Sequence, residues 1–141
     1  MQTFYLNPFE VPTLNALGIV YLVEGQLGQA ITTHSWAAML KPQNEIAHYN
    51  LSLAWERLGQ YNWAIATAKI AADLEPTNPH PLIALALAHW GNGDRALAQT
   101  AYQQALGLDP RYQAAGFWSD LSEAGFSPDQ IDRGVKMQAS L

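Results

Sequence analysis

With 141 residues, 49% of them hydrophobic, the chain is one domain long and can build a continuous core without metals or cross-links. Twelve acidic residues against seven basic ones leave a net charge of -5, and no run of Lys or Arg follows a phosphate backbone, which argues against nucleic acid as a ligand. The absence of cysteine excludes a disulfide framework, a thiolate metal site and a thiol nucleophile, and fits a reducing, cytoplasmic setting.

Residues 1–10 read as an N-terminal arm, aromatic through Phe4, Tyr5, Leu6 and Phe9 but lacking the basic start and sustained apolar run of a secretion signal. No apolar stretch approaches the ~20 residues that cross a bilayer, so no membrane span is expected.

Apolar periodicity then predicts a helix near 12–24, a break at Gly25, a second helix near 28–40 and a stop at Pro42. The pattern returns as helices near 45–58 and 62–74, and again near 79–91 and 95–107. The recurrence keeps strict register. Pro42, Pro76 and Pro110 are 34 residues apart; Ala37, Ala71 and Ala105 precede them by five, Ala30, Ala64 and Ala98 by twelve, and Gly25, Gly59 and Gly93 by seventeen. Upstream, Leu17, Leu51 and Leu85 are each followed by a small residue: Gly18, Ser52 and Ala86. A Gly between two helical patterns supplies the left-handed backbone that ends a helix, and each Pro drives its predecessor out of the helical region. The small slots let the two helices of a pair approach closely. One pair cannot bury its own apolar face, so neighbouring pairs must stack into a solenoid, for which about three repeats is the minimum.

Past Tyr112 the register fails, because the next Leu-plus-small slot would fall on Ser119 and Asp120. Residues 113–141 therefore read as a cap. Phe117, Trp118, Leu121 and Ala124 space as one face of a helix that covers the third repeat, and Gly125-Phe126 breaks the chain. Ser127-Pro128-Asp129-Gln130 is a capping-box pattern opening a final helix near 128–138, with Ile131 and Val135 on one face.

The 34-residue pattern resembles the tetratricopeptide repeat family, whose signature runs from a Trp-x2-Leu-Gly-x2-Tyr block through Ala-x3-Phe to Pro. The resemblance covers residues 11–112. It implies an all-α fold: three helix-turn-helix repeats (11–44, 45–78 and 79–112) in a right-handed α-solenoid, ended by C-terminal capping helices over 113–141. It also implies a non-enzymatic scaffold or adaptor for protein–protein interaction.

Set against that signature, His48 stands at the Trp slot, His89 at the Tyr slot and His34 at the Phe slot. Packed imidazoles are expected there, and no second ligand at helical spacing completes a metal site. His80 falls on the inner surface, where a binding role is open. No Gly-x-Ser-x-Gly elbow, P-loop or dinucleotide fingerprint is present. Glu24, Glu56, Glu75, Asp73 and Asp109 sit near helix ends or turns, where capping and solvation account for them. No catalytic residue, cofactor or metal is therefore expected. Among the tryptophans, Trp55 occupies a Tyr slot, Trp118 lies in the cap, Trp36 and Trp63 lie off the usual packing slots, and Trp90 falls on the inner side.

In proteins of this family the first helices line a concave groove that holds a peptide or a partner helix. Carried over, the resemblance assigns that groove to Asn15, Ile19 and Leu22, to Tyr49, Asn50, Leu53 and Arg57, and to His80, Ile83, Leu87 and Trp90. The lining is mainly apolar and aromatic, suited to a hot spot. One subgroup clamps acidic chaperone tails by their terminal carboxylate, using Lys, Asn and Arg. The matching slots here hold Asn15, Ile19, Asn50, His80 and Ala84, so only Asn50 agrees and every cation is missing. Without charge-assisted bonds such tails are not expected to bind. The expected partner is an apolar or amphipathic peptide or helix of another protein, taken up in assembling a larger complex. The alternative is self-association into a homo-oligomer through the arm, the groove or the terminal helix.

Overall fold

Residues 10–141 are described by a computed structural model, in which seven α-helices and two 3-10 segments follow one another, with no strand among the described residues. Three antiparallel pairs come first: α1 (Val11–Val23) with α2 (Leu27–Leu40), α3 (Glu45–Arg57) with α4 (Tyr61–Leu74), and α5 (Pro79–Gly91) with α6 (Arg95–Leu108). Their ends differ from the predicted ones by at most one residue. Consecutive helices pack on one another along the chain, and α1, α3 and α5 line up on one side, as a solenoid requires.

The turns explain that agreement. Gly25, Gly59 and Gly93 have φ of +76°, +73° and +83°, a region costly for residues with a Cβ. The next residue's N–H then reaches back to the last helical turn: Gln26 to the Tyr21 carbonyl at 2.8 Å, Gln60 to Trp55 at 2.9 Å and Asp94 to His89 at 2.9 Å. Helix starts are capped by the Asn44 side chain, which accepts from Ala47 N at 3.3 Å, and by Asn78 and Asp94, which accept from His80 N and Leu97 N at 3.0 Å. Within the pairs, Ala30, Ala64 and Ala98 are fully buried, as are Ala37, Ala71 and Ala105. His34 lies against Gly18, where even a Cβ would come within 2.4 Å of its Nε2.

One slot differs between repeats. Leu51 and Leu85 are 5% and 8% exposed, covered by the preceding pair, but Leu17 is 41% exposed and Val20 48%. No pair precedes α1 among the described residues, and its thirteen residues carry no charged side chain. The arm with Phe4, Tyr5, Leu6 and Phe9 lies outside the described residues.

After α6 the chain turns through a short 3-10 segment (Pro110–Gln113) and runs on as a ten-residue 3-10 helix (Ala115–Ala124). The α-helical face expected there is replaced by a threefold one: Trp118, Leu121 and Ala124 lie at i, i+3 and i+6, and the first two are buried. At ~2.0 Å per residue the segment spans about 20 Å, some 5 Å more than the same residues would as α-helix. Gly125, at φ +91°, then turns the chain into α7 (Pro128–Ser140). The capping box forms as read: Ser127 Oγ accepts from Gln130 N at 3.1 Å and Gln130 Oε1 accepts from Ser127 N at 3.0 Å. The buried stripe of α7 runs through Gln130, Gly134 and Met137, with Ile131 and Val135 half-buried on its flank.

Candidate functional site

The concave side is built by α1, α3 and α5, and the C-terminal segment lies across it. Leu22, Leu53, Ile83 and Leu87, four of the residues assigned to the groove, are buried in one cluster with Trp118, Leu121, Phe126 and Met137 from beyond α6. Tyr49 and Trp90 are half-buried against the same cluster. His80 is half-buried too, its ring edge-on to Tyr112 at 6.5 Å. The structure thus brings these seven together beneath or beside the chain's own C-terminal residues.

The remaining four lie toward α1 or hold the helices in place. Arg57 Nη1 donates to the Leu22 carbonyl at 2.8 Å, tying α3 to the end of α1. Asn15 exchanges side-chain hydrogen bonds with Asn44, at 3.2 and 2.9 Å, in the joint between α1 and α3. Asn50 Nδ2 donates to the Ile46 carbonyl at 2.9 Å. Ile19 stays 39% exposed.

Polar groups fasten the crossing segment. Tyr49 Oη donates to the Ala124 carbonyl at 2.6 Å. The Gly125 backbone comes so close that a Cβ there would lie 3.2 Å from Leu53 Cδ1. Gln130 serves two purposes: its Oε1 closes the capping box, while its Nε2 donates to the Leu53 carbonyl at 3.1 Å and to Glu56 Oε1 at 3.0 Å. Arg133 completes the clasp, Nη2 donating to Glu56 Oε1 at 2.8 Å and Nη1 to Glu56 Oε2, while its Nε donates to Asp129 at 2.8 Å. Hydrogen bonding to the Glu56 carboxylate, more than that to Asp129, raises the Arg133 pKa above its ordinary value.

Glu56 corrects the reading of that residue as a solvated carboxylate near a helix end. It is buried and paired. The repeat register carries the signal that marks it, because Leu22, Glu56 and Trp90 occupy one slot 34 residues apart and only Glu56 is charged. A lone carboxylate in an inward slot needs a cationic partner.

The histidines have structural surroundings. His34 and His89 are buried, and burial pushes the His34 imidazole down to about 4 and lowers that of His89. His48 Nε2 lies 2.9 Å from the Pro42 carbonyl. His80 borders an open depression of about 550 Å³ lined also by Tyr49, Arg111, Phe117, Asp120 and Glu123. Burial lowers its pKa, opposed by Asp109 and Glu75. Among the described residues no three His, Asp or Glu side chains are placed to hold a metal, and no helix is long and apolar enough to cross a membrane.

Comparison with known proteins agrees with the architecture. The tetratricopeptide repeat profile matches residues 15–79 and 83–127, well over half of the chain. The Hsp70-Hsp90 organizing protein of Triticum aestivum is 33% identical over 106 residues, which are 74% of this chain; the chain spans only 18% of that relative's length. The Sgt2 domain of the same repeat type from Aspergillus fumigatus superimposes with a TM-score of 0.68 at 22% identity, covering 92% of this chain and 77% of that one. The first such domain of Spaghetti (RPAP3), bound to the HSP90 peptide SRMEEVD, gives 0.72 at 20% identity over 86% of this chain and 98% of that one.

Proposed function

The chain belongs to the tetratricopeptide repeat family, and from that premise we propose that it is a non-enzymatic, cytoplasmic adaptor whose concave face takes an apolar or amphipathic helix of another protein. One observation carries the reading: the face formed by Leu22, Leu53, Ile83 and Leu87 already holds a helical segment, the chain's own. A surface that sequesters one amphipathic helix has the chemistry to sequester another. The wheat relative bears the name of an organizing protein and the RPAP3 domain holds a peptide, and both support a module that holds another polypeptide. The peptide in that complex is acidic, whereas the clamp slots here carry no cation and Asn50 is engaged with the Ile46 carbonyl. The ligand class proposed for this chain is therefore different.

Affinity capture from native extract with the full chain tests the adaptor. Ile19→Glu with Trp90→Ala alters two concave residues that solvent reaches, and Trp63→Ala is the control, altering an exposed side chain of α4. Loss of a reproducible partner in the first variant alone, with helical content retained, supports the concave face. Loss in the control alone moves the docking site to the outer side.

A second reading, self-association, is favoured by the exposed Leu17 and Val20 of α1. Light scattering of Leu17→Lys with Val20→Lys against the unaltered chain separates the two, since a concentration-independent monomer in both counts against it.

A further inference from the structure

We infer that α7 is an internal stand-in for the partner, and that the concave face selects, through Glu56, an amphipathic helix presenting Gln and Arg one turn apart. The inference rests on the adaptor reading and adds the chemistry of the ligand and a competitor already built into the chain.

Three observations carry it. First, the recognition is polar and specific. Glu56 is buried, and its carboxylate is matched by a glutamine amide and a guanidinium at i and i+3 of one helix face. A bidentate guanidinium–carboxylate pair fixes orientation as well as charge, and a lysine does not reproduce it. The same glutamine reads the Leu53 carbonyl, so the helix is held at a defined depth along α3.

Second, α7 is joined to the rest of the C-terminal segment through a glycine turn. Trp118 and Tyr112 are fully buried in the core, which makes the 3-10 stretch integral. α7 adds Met137 to that core, packs Ile131, Val135 and Leu141 against its edge and seats Gly134 on the Trp118 ring, beside the polar Gln130. It packs on α5 and the 3-10 helix and is fastened to α3 by the Gln130 and Arg133 hydrogen bonds. The side chains of α7 that meet α3 are polar, Gln130 and Arg133, and Gly125 at φ +91° sets the turn by which the helix leaves the 3-10 stretch.

Third, the charges are complementary in one sense only. The buried acceptor is negative, and the cation comes from α7. A partner helix must bring its own cation, or Glu56 is left buried and unpaired.

Tethering sets the competition. An attached helix acts at an effective concentration of about millimolar, so a free helix of equal intrinsic affinity binds the closed chain weakly until α7 is released. The probe is a labelled peptide of residues 126–141 offered to the full chain, read by fluorescence anisotropy. In the Arg133→Glu chain the clasp becomes repulsive, and the peptide is expected to bind at least about tenfold tighter than to the unaltered chain. In the Glu56→Arg chain α7 is also expelled, but that chain should refuse the normal peptide and accept one carrying Arg133→Glu, a reversal of about tenfold or more. Glu56→Arg combined with Arg133→Glu restores the closed state and should bind neither tightly, which controls for misfolding.

Equal binding of both peptides by both released chains, or binding by neither while helical content persists, overturns the inference and makes α7 a fixed cap. If unaltered chains take up peptide only as dimers dissociate, the natural occupant is the helix of a second copy, and the foreign-helix assignment fails. Peptide exchange needs no external partner, so a successful charge swap with failed capture from extract by the released Arg133→Glu chain would sink the adaptor reading alone.

Discussion

Glu56 and Arg133 are 77 residues apart in the chain, yet the guanidinium of Arg133 meets both carboxylate oxygens of Glu56 at the C-terminal end of α3. The Glu56 side chain is 2% exposed and that of Arg133 25%, so the acid has far less recourse to water than the base. Removing the cation is therefore costly, while removing both partners leaves only one Gln130 amide proton without its acceptor.

Arg133→Met should weaken the seating of α7 by about 3 kcal/mol. Amide exchange over residues 128–140 should speed up by about a hundredfold, with the α3–α6 amides unchanged. Adding Glu56→Met should recover most of the protection. If the double variant exchanges as fast as the single one, the buried carboxylate is not the cause.

Tyr49→Phe removes the donor to the Ala124 carbonyl without changing the shape of the ring. A loss of about 1 kcal/mol in urea unfolding is expected. An unchanged midpoint would mean that water replaces the hydroxyl.

Two glycines should respond in opposite directions. At Gly18 a Cβ would stand 2.4 Å from His34 Nε2, so Gly18→Ala should destabilise by about 2 kcal/mol. Gly28, in α2, has nothing within 4 Å, and Gly28→Ala should stabilise by about 1 kcal/mol through helix propensity. Thermal melts of the two variants check both signs.

Stability should rise with pH across the histidine range. His34 has a folded pKa of about 4 against 6.5 for the free side chain, so between these values the unfolded chain binds more protons than the folded one. Its contribution is complete above 6.5 and is lost as pH falls toward 4, about 3 kcal/mol in all at ~1.4 kcal/mol per unit. His80 and His89, also lowered by burial, add to the same slope. His34→Leu should flatten the curve in urea titrations from pH 7 to pH 4, and an unaltered slope would count against His34 as its source.

The six repeat helices were legible because their signals are local: a Gly in left-handed backbone, Ala where two helices touch and a Pro beyond each second helix, each repeated at a fixed period. The final helix was legible for the same reason, its capping box lying within four residues. The course of the segment between them was not. Phe117, Trp118, Leu121 and Ala124 fit either a 3.6 or a threefold period, and the choice follows from the distance the chain must cover over α3 and α5. The groove residues were placed by analogy with other repeats, and what covers them depends on contacts 74 to 77 residues apart that no local pattern encodes. Glu56 was visible only as the odd member of its slot.

Leu17 and Val20, exposed and not covered by any described element, give the array a growth direction. A repeat grafted ahead of α1 would find the surface that α3 and α5 already receive from the pair before each, whereas one grafted after α6 would have to evict Tyr112 and Trp118 from the core. Among the described elements, the α1 end is the one that offers such a surface to an engineer lengthening the solenoid.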